Sequence, residues 1–406
     1  MRISTLNIYG TATNQLNSLQ SALARTQMQL STDRRILAPA DDPVASARAL
    51  EVTQSQSMNK QFSVNRDSAR SSLSHVEMAL QNSGNLLQDI QELVVKAGNA
   101  SMMPVDRLAI ATELEGRLQD LLGVANTTDG AGGYLFSGYM ATTLPFTQTP
   151  NGAAYQGDQG ERQLQVGPAR KMGISVPGST IFENNPTGNG TFQTQAVATN
   201  TGAAIISSGA ITDRAAYNGH DYAITFAVAG TPAVTTYTVS DTSTTPPTDI
   251  LAAQPYQPGK QIAFGGMSLD IKGEPADGDS FTVKPSEKQS VFTTVTNLIA
   301  ALRAPADGSS GKAALTNSLN TANDNLKAAH DNVLTVQASV GARMKELDYL
   351  DGAGDDLDIQ YTSTLNDLQG LDQVKAISLF SQQQLTLQAA QMSFKTMSGL
   401  SLFNYI

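Results

Sequence analysis

Apolar side chains recur at intervals of three and four residues near the start of the chain. The first series is Leu16, Leu19, Leu23 and Leu30, with Thr26 inside it. These intervals place the series on one narrow stripe of a helix, the pattern typical of a coiled-coil seam. A second series, in which leucine recurs each heptad from Leu73 to Leu87, predicts one long helix over residues 44–98. A third, shorter helix is expected after Pro104.

The strongest series lies in the last quarter of the chain. It consists of Leu315, Leu319, Ala322, Leu326, Ala329, Val333, Val336 and Val340. This series predicts a helix that ends near Leu350. A last helical region, from about Leu357 to Gly399, has the apolar positions Leu365, Leu368, Leu371, Leu379, Leu385, Ala389 and Met392. Between the two helices, four aspartates within residues 351–358 indicate a solvated connection and the start of the next helix.

The segment between the helical ends, residues 130–285, has a different pattern. It is rich in Gly, Thr and Pro, and β-branched or aromatic residues recur at period two in residues 222–228, 236–239 and 280–283. This alternation predicts strands. Residues 241–258 contain Thr-Thr-Pro-Pro and are expected to form an exposed loop.

Helices at both ends of a chain with a β-rich middle indicate that the ends pair and that the middle projects as an insertion. The sequence therefore predicts an α+β fold, in which a long antiparallel helical coiled-coil bundle from both termini carries an inserted β-hairpin and an outer β-rich domain. The predicted domains are a terminal helical core (1–43 and 365–406), a helical bundle with the β-hairpin (44–176 and 286–364) and the outer domain (177–285).

Composition narrows the classes of function. The net charge is −10, so the chain lacks the basic excess that favours nucleic acid or an anionic membrane as a partner. The absence of cysteine excludes disulfides, thiolate metal sites and thiol nucleophiles. No apolar run approaches the roughly 18 residues of a membrane span, and the polar start does not resemble a cleaved secretory signal. Charged residues make up only 15% of the chain, a surface that suits packing against other copies.

Asp41, Asp42 and Pro43 form the most prominent acidic motif. Two adjacent carboxylates could hold a metal ion or shift each other's pKa. An Asp before Pro is better explained as a helix cap, because its carboxylate accepts a backbone N–H of the first turn and Pro at the first helical position loses no hydrogen bond. We therefore interpret Asp41, Asp42 and Pro43 as the start of the second helix.

The other candidate reactive groups are weaker. The aspartates at residues 351–358 lack the spacing of a calcium-binding loop. His220 and Asp221 are neighbours in sequence, an arrangement that rarely gives the geometry of an acid–base pair. We expect no catalytic residues, no cofactor and no metal site.

Short motifs in a fixed order carry a family resemblance. They are Leu-Ser-Thr-Asp-Arg-Arg-Ile at 30–36, Pro-Ala-Asp-Asp-Pro at 39–43, Gly-Tyr-Leu-Phe-Ser-Gly at 133–138, Leu-Thr-Leu-Gln-Ala-Ala-Gln at 385–391 and Leu-Ser-Leu-Phe-Asn-Tyr-Ile at 400–406. Together they resemble the flagellin-like axial proteins of the bacterial flagellum, over roughly residues 1–175 and 285–406. Asp33 stands where this family more often has Gly. The final motif resembles the branch that joins hook to filament more than it resembles flagellin.

The resemblance implies a structural subunit of the flagellum, extracellular and located at the hook–filament junction. Such subunits leave the cell through the flagellar export channel without a cleaved signal, while a cytoplasmic chaperone holds the C-terminal helix. They assemble as a ring of copies, with another hook-associated protein on the hook side and flagellin on the filament side. The assembly interface is expected to contain Leu16, Leu19, Leu23, Leu30, Leu365, Leu368, Leu385, Ala389, Met392, Leu402 and Phe403.

Three other functions are open alternatives. Flagellin itself, which polymerises into the filament, shares most of these motifs. A surface adhesin on a helical stalk would bind through the β-rich domain, but it would normally carry an export signal or a membrane anchor. An enzyme in the central domain would need a concave pocket with convergent polar groups.

Overall fold

Seven helices account for most of the regular structure in the described residues. The computed structural model describes residues 5–99, 101–130 and 132–399. The helices are α1 (Thr5–Thr32), α2 (Pro43–Ala97), α3 (Pro104–Ala125), α4 (Gly178–Phe182), α5 (Val291–Arg303), α6 (Gly308–Gln369) and α7 (Gln373–Gly399). The predicted second and third helices are confirmed to within one or two residues. The sequence patterns did not single out α5.

The strands all lie between α3 and α5. They are β1 (Phe146–Thr149), β2 (Gly152–Tyr155), β3 (Gln163–Gly167), β4 (Arg170–Gly173), β5 (Asn185–Pro186), β6 (Phe192–Ala196), β7 (Ile205–Ile206), β8 (Ala210–Ile211), β9 (Tyr222–Ala229), β10 (Val234–Asp241), β11 (Thr248–Pro255), β12 (Gln261–Phe264), β13 (Met267–Lys272), β14 (Ser280–Pro285) and β15 (Lys288–Gln289). The predicted strands at 222–228, 236–239 and 280–283 are confirmed.

The chain packs as two compact units, residues 1–65 with 348–406 and residues 66–347. We call them the terminal unit and the central unit. In the terminal unit, α1 and α7 form an antiparallel pair. The rings of Tyr9 and Phe394 meet edge to face at 5.9 Å, while Gln373 at the other end of α7 donates a hydrogen bond to Asp33.

The heptad series in α2 and α6 are buried in the central unit. Leu73, Leu80 and Leu87 are at most 1% exposed, and so are Leu326 and Val333. The buried positions of α6 also include Leu319, Ala322, Ala329, Val336, Val340 and Leu347. Burial of a whole stripe explains why these helices form here, since each fully buried Leu or Val stabilises the fold by about 1.5–3 kcal/mol.

An aromatic cluster packs beside α5. Phe136, Phe146, Phe182 and Phe292 are fully buried, with ring centroids 5.1 to 5.8 Å apart. Such contacts add to the stabilisation from burial alone. Phe182 belongs to α4, so this short helix shares a core with the first hairpin and α5.

The β-rich part of the central unit has two main sheets. One has the strand order β11-β10-β9-β14-β6, and the other has β12-β13-β7, with β8 also pairing to β13. Side chains from both sheets form a separate apolar core that includes Phe192, Tyr222, Phe226, Ile271 and Phe281. The expected loop at residues 241–258 is wrong, because it contains the eight residues of β11, which pairs antiparallel with β10.

The expected helix break within residues 351–358 is also wrong. α6 runs through this segment without interruption and ends only at Gln369. Two amides of α2 hold it there: Asn59 donates to the carbonyl of Gly354 at 2.7 Å, and Gln56 donates to Asp358 at 3.0 Å. The break lies after Gln369 instead, where the Asp372 carboxylate accepts the backbone N–H of Lys375 and starts α7.

Candidate assembly interface

In the terminal unit, hydrogen bonds join the connection between α1 and α2 to the connection between α6 and α7. Arg35, between α1 and α2, donates its backbone N–H to the carbonyl of Gln369 at 2.7 Å and its guanidinium to the carbonyl of Leu368 at 2.9 Å. Asp33 has a φ of 54°, the left-handed conformation that favours Gly and tolerates Asp. Its carboxylate accepts a hydrogen bond from Gln373 at 3.0 Å. The motif at residues 30–36 therefore ties the start of α7 to the end of α1.

The two aspartates before α2 have different partners. Asp42 accepts the backbone N–H of Ala45 at 3.0 Å, with Pro43 in the first helical position. Asp41 instead accepts the backbone N–H groups of Leu37 and Ala38, at 3.0 and 3.1 Å. These two N–H groups, assisted by the nearby Arg25 guanidinium, lower the pKa of Asp41. Both carboxylates therefore fix backbone geometry at the α1–α2 connection.

The last helix, α7, has two opposite faces. Its less exposed side chains recur every three or four residues and lie toward α1: Ala376, Phe380, Gln383, Leu387, Ala390 and Phe394. The opposite face carries large apolar side chains in contact with solvent. Their exposed fractions are 80% for Val374, 68% for Leu385 and 71% for Met392. We call these three residues the outer stripe of α7.

The predicted interface residues fall into separate groups. The first group is half-buried on α1 and consists of Leu16, Leu19, Leu23 and Leu30. Half-buried near the end of α6 are Leu365 and Leu368. Exposed along α7, on the side of the outer stripe, are Leu385, Ala389 and Met392. Outside the described residues are Leu402 and Phe403.

Sequence reasoning missed the inner face of α7. The heptad steps from Ala376 to Phe394 were present in the sequence, but Gln383 interrupts their apolar character. Leucines on the other face, such as Leu385, gave the stronger apparent pattern. Val374 of the outer stripe could have been found by extending that second pattern toward the start of the helix.

Exposed apolar side chains concentrate in the terminal unit. Among the described residues, 25 large apolar side chains are exposed; 14 belong to the terminal unit, the smaller of the two, and 11 to the central unit. Where exposed apolar side chains form a contiguous patch, that patch is typical of a site that another molecule covers. The described helices include none that is long and apolar enough to cross a membrane.

The terminal pair is also almost free of charge. α1 contains only Arg25 and α7 only Lys375 and Lys395, with no carboxylate in either helix. Burying a charge without a partner costs several kcal/mol, whereas uncharged side chains can be covered at a much lower cost. The pair of helices can therefore be enclosed by other protein surfaces.

His220 was considered above as an acid–base pair with Asp221, but in the structure its ring contacts Asp241. His220 Nδ1 lies 2.6 Å from Asp241 Oδ2, between the start of β9 and the end of β10. Asp241 also accepts the backbone N–H of Ser243, and the hydrogen bond from His220 lowers its pKa. Over the described ranges, no group of three or more His, Asp or Glu side chains could hold a metal ion.

Comparison with known proteins identifies the family. A family model described as the bacterial flagellin N-terminal helical region matches residues 3–141, and the D2-like domain of flagellar hook-associated protein 1 matches residues 195–285. Flagellar hook-associated protein 3 of Escherichia coli K12 is 28% identical over 404 residues, 99% of both chains. The crystal structure of flagellar hook-associated protein 3 from Legionella pneumophila is 32% identical, with a TM-score of 0.74, covering 78% of this chain and 98% of that one.

Flagellin is a more distant relative. The flagellin of Salmonella derby is 33% identical over 115 residues, only 28% of this chain and 23% of that protein. The hook-associated protein is instead similar over 99% of the chain in sequence and over 78% of it in structure. The chain therefore belongs to the flagellar hook-associated protein 3 family.

Proposed function

We propose that this protein is a structural subunit of the bacterial flagellum that joins the hook to the filament. In this proposal the terminal unit self-assembles into a helical ring of copies, between another hook-associated protein on the hook side and flagellin on the filament side. The observation that carries the proposal is the outer stripe of α7, an apolar surface on a nearly uncharged helix pair.

The outer stripe can supply much of the energy of assembly. Full burial of one Val, Leu or Met side chain is worth about 1.5–3 kcal/mol, so three such side chains that are now more than half exposed would contribute roughly 3–7 kcal/mol. Association of free subunits costs a comparable amount, about 4–15 kcal/mol. A single contact of this kind is therefore marginal. In a closed ring each subunit takes part in two interfaces, one through its outer stripe and one through the surface that covers the stripe of a neighbour.

Export and location are part of the same proposal. The subunit would pass through the flagellar export channel without a cleaved signal, with a cytoplasmic chaperone on its C-terminal helix, and would act outside the cell. The chain has no cysteine that would have to be kept reduced or oxidised during this passage. The role is mechanical, and no catalytic step is required of the protein.

A substitution in the outer stripe tests the proposal. Leu385→Asp and Met392→Asp would each place a carboxylate on a surface that assembly buries, and cells that have either variant as their only copy should shed their filaments. Gln391→Asp is the matched control, because Gln391 is exposed but lies between the two faces of α7. The readouts are electron microscopy of the cells and the thermal stability of each purified monomer.

The stability measurement separates assembly from folding. All three positions are exposed in the monomer, so each change should alter its free energy of unfolding by no more than about 0.5 kcal/mol. Normal filaments with both Leu385→Asp and Met392→Asp would mean that this stripe is not an assembly surface. Loss of filaments with Gln391→Asp as well would mean that the effect is not specific to the stripe.

A further inference from the structure

The central unit contains a cleft that shares no residue with the outer stripe or the terminal helix pair. Its volume is about 430 Å³, within the range of sites for small ligands. One wall is β6 with the segment that follows it, the second is β15 and α5, and the third is the first half of α6. The cleft therefore separates the β-rich part of the unit from its helices.

The lining is entirely uncharged. None of its twenty residues is acidic, basic or aromatic, and eleven of them are Asn, Gln, Ser or Thr. A charged ligand would find no ion partner in the cleft, and burial of an unpaired charge is costly. A purely apolar ligand would leave these amides and hydroxyls without water or a partner, which also costs free energy. The lining therefore favours a neutral, polar ligand.

Some lining amides have hydrogen-bonding capacity to spare. Asn325 on α6 is only 5% exposed; its Oδ1 accepts the backbone N–H of Gly188 at 2.8 Å, and its Nδ2 has no partner among the described residues. Gln193 on β6 has a buried Nε2 that is likewise without a partner in the described structure. Asn317, by contrast, uses both ends of its amide on the backbone of residues 204 and 206. Asn325 and Gln193 thus each have an amide nitrogen without a protein partner in the described structure, one on the α6 wall of the cleft and one enclosed within the β6 wall.

We propose that this cleft binds a short neutral saccharide. Each sugar hydroxyl both donates and accepts hydrogen bonds, and so does each Asn or Gln side chain, so the two sets of groups are complementary. The three walls belong to different elements, and a bound sugar would bridge β6 to α6. Binding would use the β-rich part of the protein and would be independent of the helix pair that assembles.

Saturation-transfer difference NMR on the full-length monomer tests this proposal. The neutral probes are maltose, cellobiose and lactose, the charged probe is glucuronate, and an acetylated, amidated tri-alanine represents a neutral peptide. We expect signals from at least one disaccharide and none from glucuronate or the peptide. Ala314→Trp, which would fill the cleft from α6, should weaken disaccharide binding by about tenfold or more. Ala338→Trp, also an exposed alanine of α6 but outside the cleft, should leave it unchanged.

Several results would overturn the proposal. Absence of signals from all three disaccharides would do so, and so would a peptide or glucuronate signal as strong as that of the best sugar. Equal disaccharide affinity in the wild type and in Ala314→Trp would place any binding elsewhere. Thermal melting of both tryptophan variants, expected to match the wild type, ensures that a loss of binding reflects the cleft and not unfolding.

Discussion

A carboxylate at Leu326 should unfold the central unit. Leu326 is completely buried in the middle of the α6 series, so a carboxylate at this position would be removed from solvent. Removing the leucine contacts costs about 2–5 kcal/mol, as in other large-to-small core substitutions. Burying the charge, or protonating it to avoid the charge, adds several kcal/mol more. The total, roughly 5 kcal/mol or more, is comparable with the whole stability of a typical domain.

The matched control is three residues away. Asn323 lies on the same helix but is exposed, so Asn323→Asp should change the free energy of unfolding by no more than about 0.5 kcal/mol. Urea denaturation of both purified variants gives the comparison. The loss of helix is followed by far-ultraviolet circular dichroism. Leu326→Ala, with an intermediate loss, separates the lost contacts from the charge. Equal urea midpoints for Leu326→Asp and Asn323→Asp would show that the heptad series of α6 is not a buried face.

Three further predictions concern other parts of the protein. Burial raises the pKa of Glu183 above its ordinary 4.5, so the protonated carboxyl stabilises the folded state fully below pH 4.5. This contribution to stability is lost as the pH rises through the pKa of Glu183 in the folded protein. Glu183→Gln should therefore raise the urea midpoint at neutral pH and not in acid. Replacing residues 188–285 with a short Gly-Ser linker should leave the helical part folded, with a melting temperature close to that of the full chain, because the β-rich core is separate and Thr187 N–H already lies 2.9 Å from the carbonyl of Glu287. Backbone amides of α1 and α7 should exchange with deuterium faster than those of α2 after residue 65, since the terminal seam contains polar Thr26 and Gln383; equal protection would contradict this.

The helical part of the fold could be predicted because its stripes are long and its breaks contain strong signals. Pro43 and Pro104 mark the starts of α2 and α3, and the leucine heptads of α2 are buried as expected. The break between α6 and α7 was misplaced because aspartates on an exposed helix surface have the same composition as a solvated connection. Contacts from α2 to Gly354 and Asp358, which no local pattern contains, support the helix at that point.

The β-rich part and the candidate interface were harder to predict for related reasons. β11 is almost completely exposed, so it lacks the alternation of buried and exposed positions that identifies a strand, and its pairing with β10 is a tertiary interaction. On α7 both faces carry apolar side chains, and the sequence alone does not tell which face an intramolecular partner covers. Only the position of α1 distinguishes the seam that includes Phe380 from the outer stripe that includes Leu385. The domain boundaries at residues 43, 176, 285 and 364 remain predictions.

The most direct test of the proposed function is the position of the protein on the flagellum. An epitope tag inserted in the exposed turn between β10 and β11 can be detected by immunogold electron microscopy on purified hook–filament complexes without altering either helix of the terminal pair. The proposal predicts one narrow band of gold at the boundary between hook and filament, and bare hooks when the gene is deleted. Gold along the whole filament would identify a filament subunit instead and would contradict the proposal.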